Sequence, residues 1–122
     1  VIEQEFSNAL RLALTEARIG VTLYRQQSGK VRTDKGTWME LAPTGASDLV
    51  GCVAPEGWML QVEIKGPRTR TTAEQAHWRA RWAALGAIAL EIRHDPRVSP
   101  AASVAAGVES IRAAIHDRRH RP

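Results

Sequence analysis

The sequence holds a single cysteine, Cys52, among 122 residues. A lone thiol excludes an internal disulfide and any metal centre built on a cysteine cluster. Aromatic residues are scarce, with one Phe, one Tyr and four Trp. No apolar run approaches the ~20 residues of a membrane-spanning helix, so no membrane partner is expected. Internal repeats and low-complexity linkers are also missing, which removes solenoid and tethered-domain architectures. The stretch V-I-E-Q-E-F carries charge where a signal peptide would need its apolar core. The expected compartment is therefore the cytoplasm.

What is present suits one folded domain over residues 1–122: hydrophobic residues make up 43% of the chain, enough for a core. The net charge of +4 and a pI near 10.0 permit a phosphate-bearing partner. Part of that charge lies in the final H-D-R-R-H-R-P, which is expected to fray.

Hydrophobic periodicity sets the elements. Phe6, Leu10, Ala13, Leu14 and Ala17 recur at helical spacing, so residues 2–18 read as a helix. V-T-L-Y-R-Q, 21–26, reads as a strand, and S-G-K-V-R-T-D-K-G as a polar loop. T-W-M-E-L, 37–41, is a short strand ended by Pro43. The apolar D-L-V-G-C-V-A, 48–54, and W-M-L-Q-V-E-I-K, 58–65, are joined by P-E-G and predict a hairpin. Cys52 is expected to be an inert core residue of the first of these. Thr71 or Thr72 starts a second helix, since Thr71-Thr72-Ala73-Glu74 has the form of a capping box, and Gly86 stops it. On that helix Gln75, Trp78, Trp82 and Leu85 share one face, with both Trp expected in the core. A-I-A-L-E-I-R, 87–93, is a strand, and residues 101–118 are a last helix. The order α-β-β-β-β-α-β-α predicts an α/β fold, a mixed sheet flanked by helices.

Within this frame one acid stands out. Asp48 follows the turn-like T-G-A-S and opens a buried strand, where an unpartnered carboxylate is costly. On the next strand Glu63 and Lys65 share a face, roughly 7 Å apart. The hairpin brings Asp48 to the strand end that carries them. Two close carboxylates repel unless a cation sits between them. Lys65 is one candidate cation; a hard divalent ion such as Mg²⁺ or Mn²⁺ is the other, since all the ligands are oxygen. The plainer reading of E-I-K is a solvated ion pair. The four His residues show no metal-binding spacing beyond an isolated His116/His120 pair.

In this order and spacing the motifs V-I-E-Q-E-F, R-Q-Q-S-G, G-A-S-D-L, E-I-K and A-E-Q resemble the virus-type replication-repair nucleases, the VRR-NUC group of the PD-(D/E)xK nuclease superfamily. The likeness covers roughly residues 2–93, leaving the last helix outside it. One departure is Ser47, which stands before Asp48 where the superfamily pattern has Pro. The resemblance implies a restriction-endonuclease-like αβββαβ core, with the last helix as an addition. It implies that Asp48 and Glu63 coordinate Mg²⁺ or Mn²⁺ with the backbone carbonyl of Ile64. Lys65 would orient the attacking water, and Gln75 would reach the site from the second helix. A first-helix Glu is also implied, with Glu3 and Glu5 as candidates. At ~100° per residue Glu3 lines up with Phe6 and Leu10, and is preferred.

The implied activity is metal-dependent hydrolysis of DNA, in branched forms such as Holliday junctions or flaps. Short stand-alone members are phage or bacterial proteins, which places the activity in bacterial or phage-infected cytoplasm. Symmetric cuts need two sites, so a homodimer is expected, with Trp38 or the last helix at its interface. Lys30, Arg32 and Lys35 in one loop, Arg68 and Arg70 in another, and Arg79 on the second helix are the expected phosphate contacts. No base-reading motif is present, so recognition by backbone and shape is expected. The rival readings are an inactive DNA-binding module of the same fold, a basic interaction protein, and a nuclease of restriction-like or RNA specificity.

Overall fold

The computed structural model describes residues 3–27 and 29–121. The expected start of the first helix at residue 2, and Ser28 of the R-Q-Q-S-G stretch, lie outside them. Nine elements follow in order: α1 (Glu3–Ala17), β1 (Val21–Arg25), β2 (Lys30–Arg32), β3 (Trp38–Glu40), β4 (Leu49–Val53), β5 (Trp58–Lys65), α2 (Ala73–Ala84), β6 (Ile88–Arg93) and α3 (Pro100–Arg119). The chain is an α/β protein: an N-terminal helix, a mixed four-stranded sheet with an added hairpin, and two further helices.

The sheet runs β1-β4-β5-β6. Strands β1, β4 and β5 are antiparallel neighbours, and β5 pairs with β6 in parallel. A parallel pair needs a long crossover, and α2 supplies it. One sheet face meets α1 and α3. Phe6, Leu10 and Leu14 from α1 and Val108, Ile111 and Ile115 from α3 close over Leu49, Val53, Leu60, Val62 and Ile64. Burying each such side chain contributes about 1.5–3 kcal/mol, so this layer dominates stability. The last helix is therefore a wall of the core. Its basic end does not fray: Arg118 donates to the carbonyls of Gly86 and Ala87, and Arg119 forks onto Glu56 at 2.7 Å.

The other face is only partly covered, and three expectations change there. Helix α2 buries no residue completely; Trp78 and Trp82 are half-buried and Leu85 is 66% exposed. Cys52 is exposed, not core. Its strand is apolar on both faces, but only Leu49 and Val53 join the layer under α1 and α3; Cys52 alternates to the opposite face and stays exposed there. The segment expected as a loop after residue 27 contains β2, which pairs with β3 through Val31↔Met39 and Arg32↔Trp38. Those β-branched and aromatic pairs outweigh the polar composition of the segment. Strand β3 thus joins a hairpin of its own and not the main sheet.

Of the two expected starts of the second helix, Thr71 and Thr72, the structure uses Thr72. The cap is Thr72, whose side chain accepts from the Gln75 amide at 3.1 Å while Gln75 Oε1 accepts from the Thr72 amide at 3.0 Å. The box is T-x-x-Q and not the T-x-x-E of Thr71 to Glu74. Thr71 instead donates to Glu91. Gly86, at φ +105°, ends the helix as expected of a left-handed position.

Among the described residues no helix is long and apolar enough to cross a membrane.

Candidate active site

The site forms where β4 enters the sheet. Gly45, at φ +91°, turns the T-G-A-S stretch so tightly that a Cβ there would lie 2.6 Å from the Glu74 carbonyl. Only glycine allows that approach to the start of α2. Ser47 is buried and its hydroxyl donates to Gln61 Oε1 at 3.3 Å; Trp78 Nε1 donates to the same oxygen. The backbone carbonyl of Asp48 accepts from the Gln26 amide at 2.7 Å. These bonds fix the turn to β1, β5 and α2 at once.

Asp48 is consequently held in place. Leu49 pairs with Val62, which sets Asp48 one rung further, opposite Glu63. Asp48 Oδ2 accepts from the Ile64 amide at 2.8 Å. Glu63 and Lys65 are buried, 5% and 3% exposed, on the face beneath α2. Lys65 Nζ donates to Gln75 Oε1 at 2.5 Å and to the Arg70 carbonyl at 3.4 Å, and lies 3.8 Å from Glu63 Oε1. Gln75 Nε2 donates to Glu63 Oε1 at 3.0 Å. Gln75 thus bridges the acid and the base of the pair while also capping its own helix.

The electrostatics of the two acids follow from burial. Desolvation, then the charge of Asp48, pushes Glu63 up to about 7, against the opposing pull of Lys65. Asp48 is also raised, by desolvation and the Glu3 carboxylate, although the Ile64 amide and Lys65 pull it down. Glu63 Oε2 is buried without a hydrogen-bond partner. An orphaned carboxylate oxygen facing a second acid needs either a proton or a cation. This oxygen-only donor pair suits a hard divalent ion such as Mg²⁺ or Mn²⁺.

A groove of about 690 Å³ opens beside the pair, lined among others by Glu3, Arg25, Asp48, Ile64 and His94. Glu3, and not Glu5, is on this groove; Glu5 lies on a separate one with Phe6 and Pro100. The Glu3 carboxylate accepts from the Gly66 amide at 3.3 Å. Among the described residues no three His, Cys, Asp or Glu side chains converge as a ready-made cation site. The structure therefore brings Asp48, Glu63, Lys65 and Gln75 together and leaves Glu3 on the groove wall.

The expected phosphate contacts divide. Lys30, Arg32, Lys35, Arg68 and Arg70 are exposed. Arg79 is not free, because it pairs with Glu91 at 2.8 Å. Glu91 also holds Arg93 at 2.9 Å, and Arg93 Nη1 donates to the Gly66 and Thr69 carbonyls. This network ties the 66–70 loop to β6. Sequence reasoning missed Arg25 and His94. Arg25 pairs with Leu49, next to Asp48, so assigning the β1–β4 pairing from the start would have found it. His94 carries no local signal; its ring sits 5.6 Å from that of Phe6, a contact only the tertiary fold creates.

No protein-family model matches this chain, and no curated protein matches it.

Proposed function

We propose that this chain is a metal-dependent endonuclease of the PD-(D/E)xK kind, hydrolysing phosphodiester bonds in branched or otherwise structured DNA. The observation that carries the reading is half-buried Asp48 set opposite buried Glu63, one oxygen of which is unpartnered, beside the buried Lys65. The succession α1, β1, β4, β5, α2, β6 supports it, being compatible with a restriction-endonuclease-like αβββαβ core once the β2–β3 hairpin is treated as an insertion.

Asp48 and Glu63 would hold Mg²⁺ or Mn²⁺, with the Ile64 carbonyl and Glu3 contributing from the groove side. The bound ion supplies Lewis-acid polarisation of the phosphoryl oxygen and a water of lowered pKa. The chain's own groups do the rest. Asp48 is oriented by the Ile64 amide, so its second oxygen is left for the ligand. Glu63, raised to about 7 in the metal-free fold, is only partly ionised near neutrality and would have to give up its remaining proton to hold a cation. Lys65, fixed by Gln75 and the Arg70 carbonyl, holds a compact positive charge beside the acids, where a phosphate anion and its attacking water need one. Arg25, on the groove wall, adds charge for the phosphate.

The direct test mixes the protein with a labelled four-way junction, a 5′ flap, plain duplex and single strand, in Mg²⁺, Mn²⁺ or EDTA. Cutting is expected with metal only, with Asp48→Asn and Lys65→Ala each losing at least ~100-fold. A separate readout is thermal: Mn²⁺ should raise the Tm of the parent protein and not that of Asp48→Asn. Cutting that persists in EDTA, or in both variants, would refute the assignment.

A further inference from the structure

The β2–β3 hairpin is the one part of the described fold whose side chains face solvent on both sides. Trp38 is 66% exposed, Met39 50% and Val31 38%. A two-stranded ribbon cannot bury such groups by itself. The hairpin is nonetheless well formed. Its ladder continues toward its base, where Leu41 N donates to the Gly29 carbonyl at 2.8 Å and Ala42 N to the Gln27 carbonyl at 3.0 Å. That base adjoins the site: the neighbouring Gln26 donates its amide to the Asp48 carbonyl and its side chain to the Ser47 carbonyl. An arm therefore rises from the rim that carries Asp48.

Its chemistry points to one kind of partner. Trp38 is paired across the ladder with Arg32, whose guanidinium lies 6.0 Å from the indole centroid. Lys30 and Lys35 are exposed on the same arm, and among the described residues neither they nor Arg32 is held in an ion pair. Free cations around a solvent-facing indole are the means by which proteins hold single-stranded nucleic acid: backbone charge is neutralised while a base stacks on the ring. Trp38, Met39 and Arg32 would suit a subunit interface as well, but the two lysines would be depleted there.

We propose that this hairpin is a nucleic-acid arm in which Trp38 stacks on an unpaired base, with Lys30, Arg32 and Lys35 along the adjoining phosphates. The inference rests on the nuclease reading and narrows its substrate to DNA that offers an unpaired nucleotide beside a duplex, as at a flap or an open junction. Trp38 is then a ligand of the substrate and not part of a dimer contact.

The test measures binding by fluorescence anisotropy in EDTA, with a labelled 5′ flap and a plain duplex of the same length. Trp38→Ala should weaken flap binding by about 10-fold or more and leave duplex binding within about twofold; Trp38→Phe should recover most of the loss. Thermal melts accompany each variant, and an exposed side chain should leave them unchanged. Equal losses on flap and duplex, or no loss on either while the parent still binds and cuts, would overturn the arm alone. A parent dimer that Trp38→Ala turns into a monomer would assign the hairpin to a subunit interface instead. A parent protein that neither binds nor cuts DNA would remove the nuclease reading and the arm together.

Discussion

Glu63 is the residue at which structure and chemistry press hardest on each other. Its carboxyl is raised to about 7 in the metal-free fold, against an ordinary value of 4.5. Between those two values the folded protein holds a proton that the unfolded chain has released. Stability is therefore fully present below about 4.5 and falls as pH rises through about 7. In EDTA the Tm should fall across that window, and Glu63→Gln, which cannot ionise, should flatten the fall. A profile unchanged by Glu63→Gln would mean that another group carries it. Asp48, Glu63 and Lys65 were legible in the sequence because strand alternation and a hairpin turn are local rules. The double duty of Gln75 was half legible: its reach to the site was implied by the nuclease resemblance alone, whereas its part in the cap was assigned to Glu74. The two boxes differ by one residue of helix start, and the reciprocal Thr72–Gln75 hydrogen bonds are what select the second.

Among the elements, α2 and the hairpin carry the contrast between structural and ligand-facing charge. Arg79 looks, in sequence, like any helix-surface cation. Its pairing with Glu91 makes it part of the strap that holds the 66–70 loop. Lys35 at the hairpin turn has no such partner among the described residues. Lys35→Ala should lower the slope of log K against log salt for DNA binding by up to about 1, and Arg79→Ala should leave that slope unchanged. Titrations at several salt concentrations decide this, and equal slopes for the two variants would contradict the division. The exposure of Cys52 and the half-burial of Trp78 could not be read in advance. An apolar strand or helix face says that something can cover it, not how far a neighbour extends.

At the scale of the whole molecule, the expected α/β class holds, a mixed sheet with flanking helices, and Asp48 does come opposite Glu63 at one end of the sheet. The last helix, which lay outside the motif pattern and was expected at a subunit interface, closes the apolar core with α1. One chain carries one such site, and symmetric cleavage of a branched substrate needs two. A homodimer is accordingly proposed, and light scattering at micromolar concentration should give twice the 13.4 kDa of the chain. A mass of one chain, with cleavage intact, would leave a monomer that nicks one strand at a time.

The uneven covering of the sheet has a further consequence, for how the molecule opens. Helices α1 and α3 share the apolar layer, whereas α2 is held mainly by polar groups: Gln75 on Glu63, Trp78 on Gln61, Arg79 on Glu91. Amide protons of α2 should therefore exchange with solvent through partial openings, while those of β5 and α3 wait for global unfolding. Similar protection in all three would contradict this. Each such opening withdraws Gln75 from Lys65 and Glu63 together, so the polar site would come apart and reassemble as one unit above a core that stays closed.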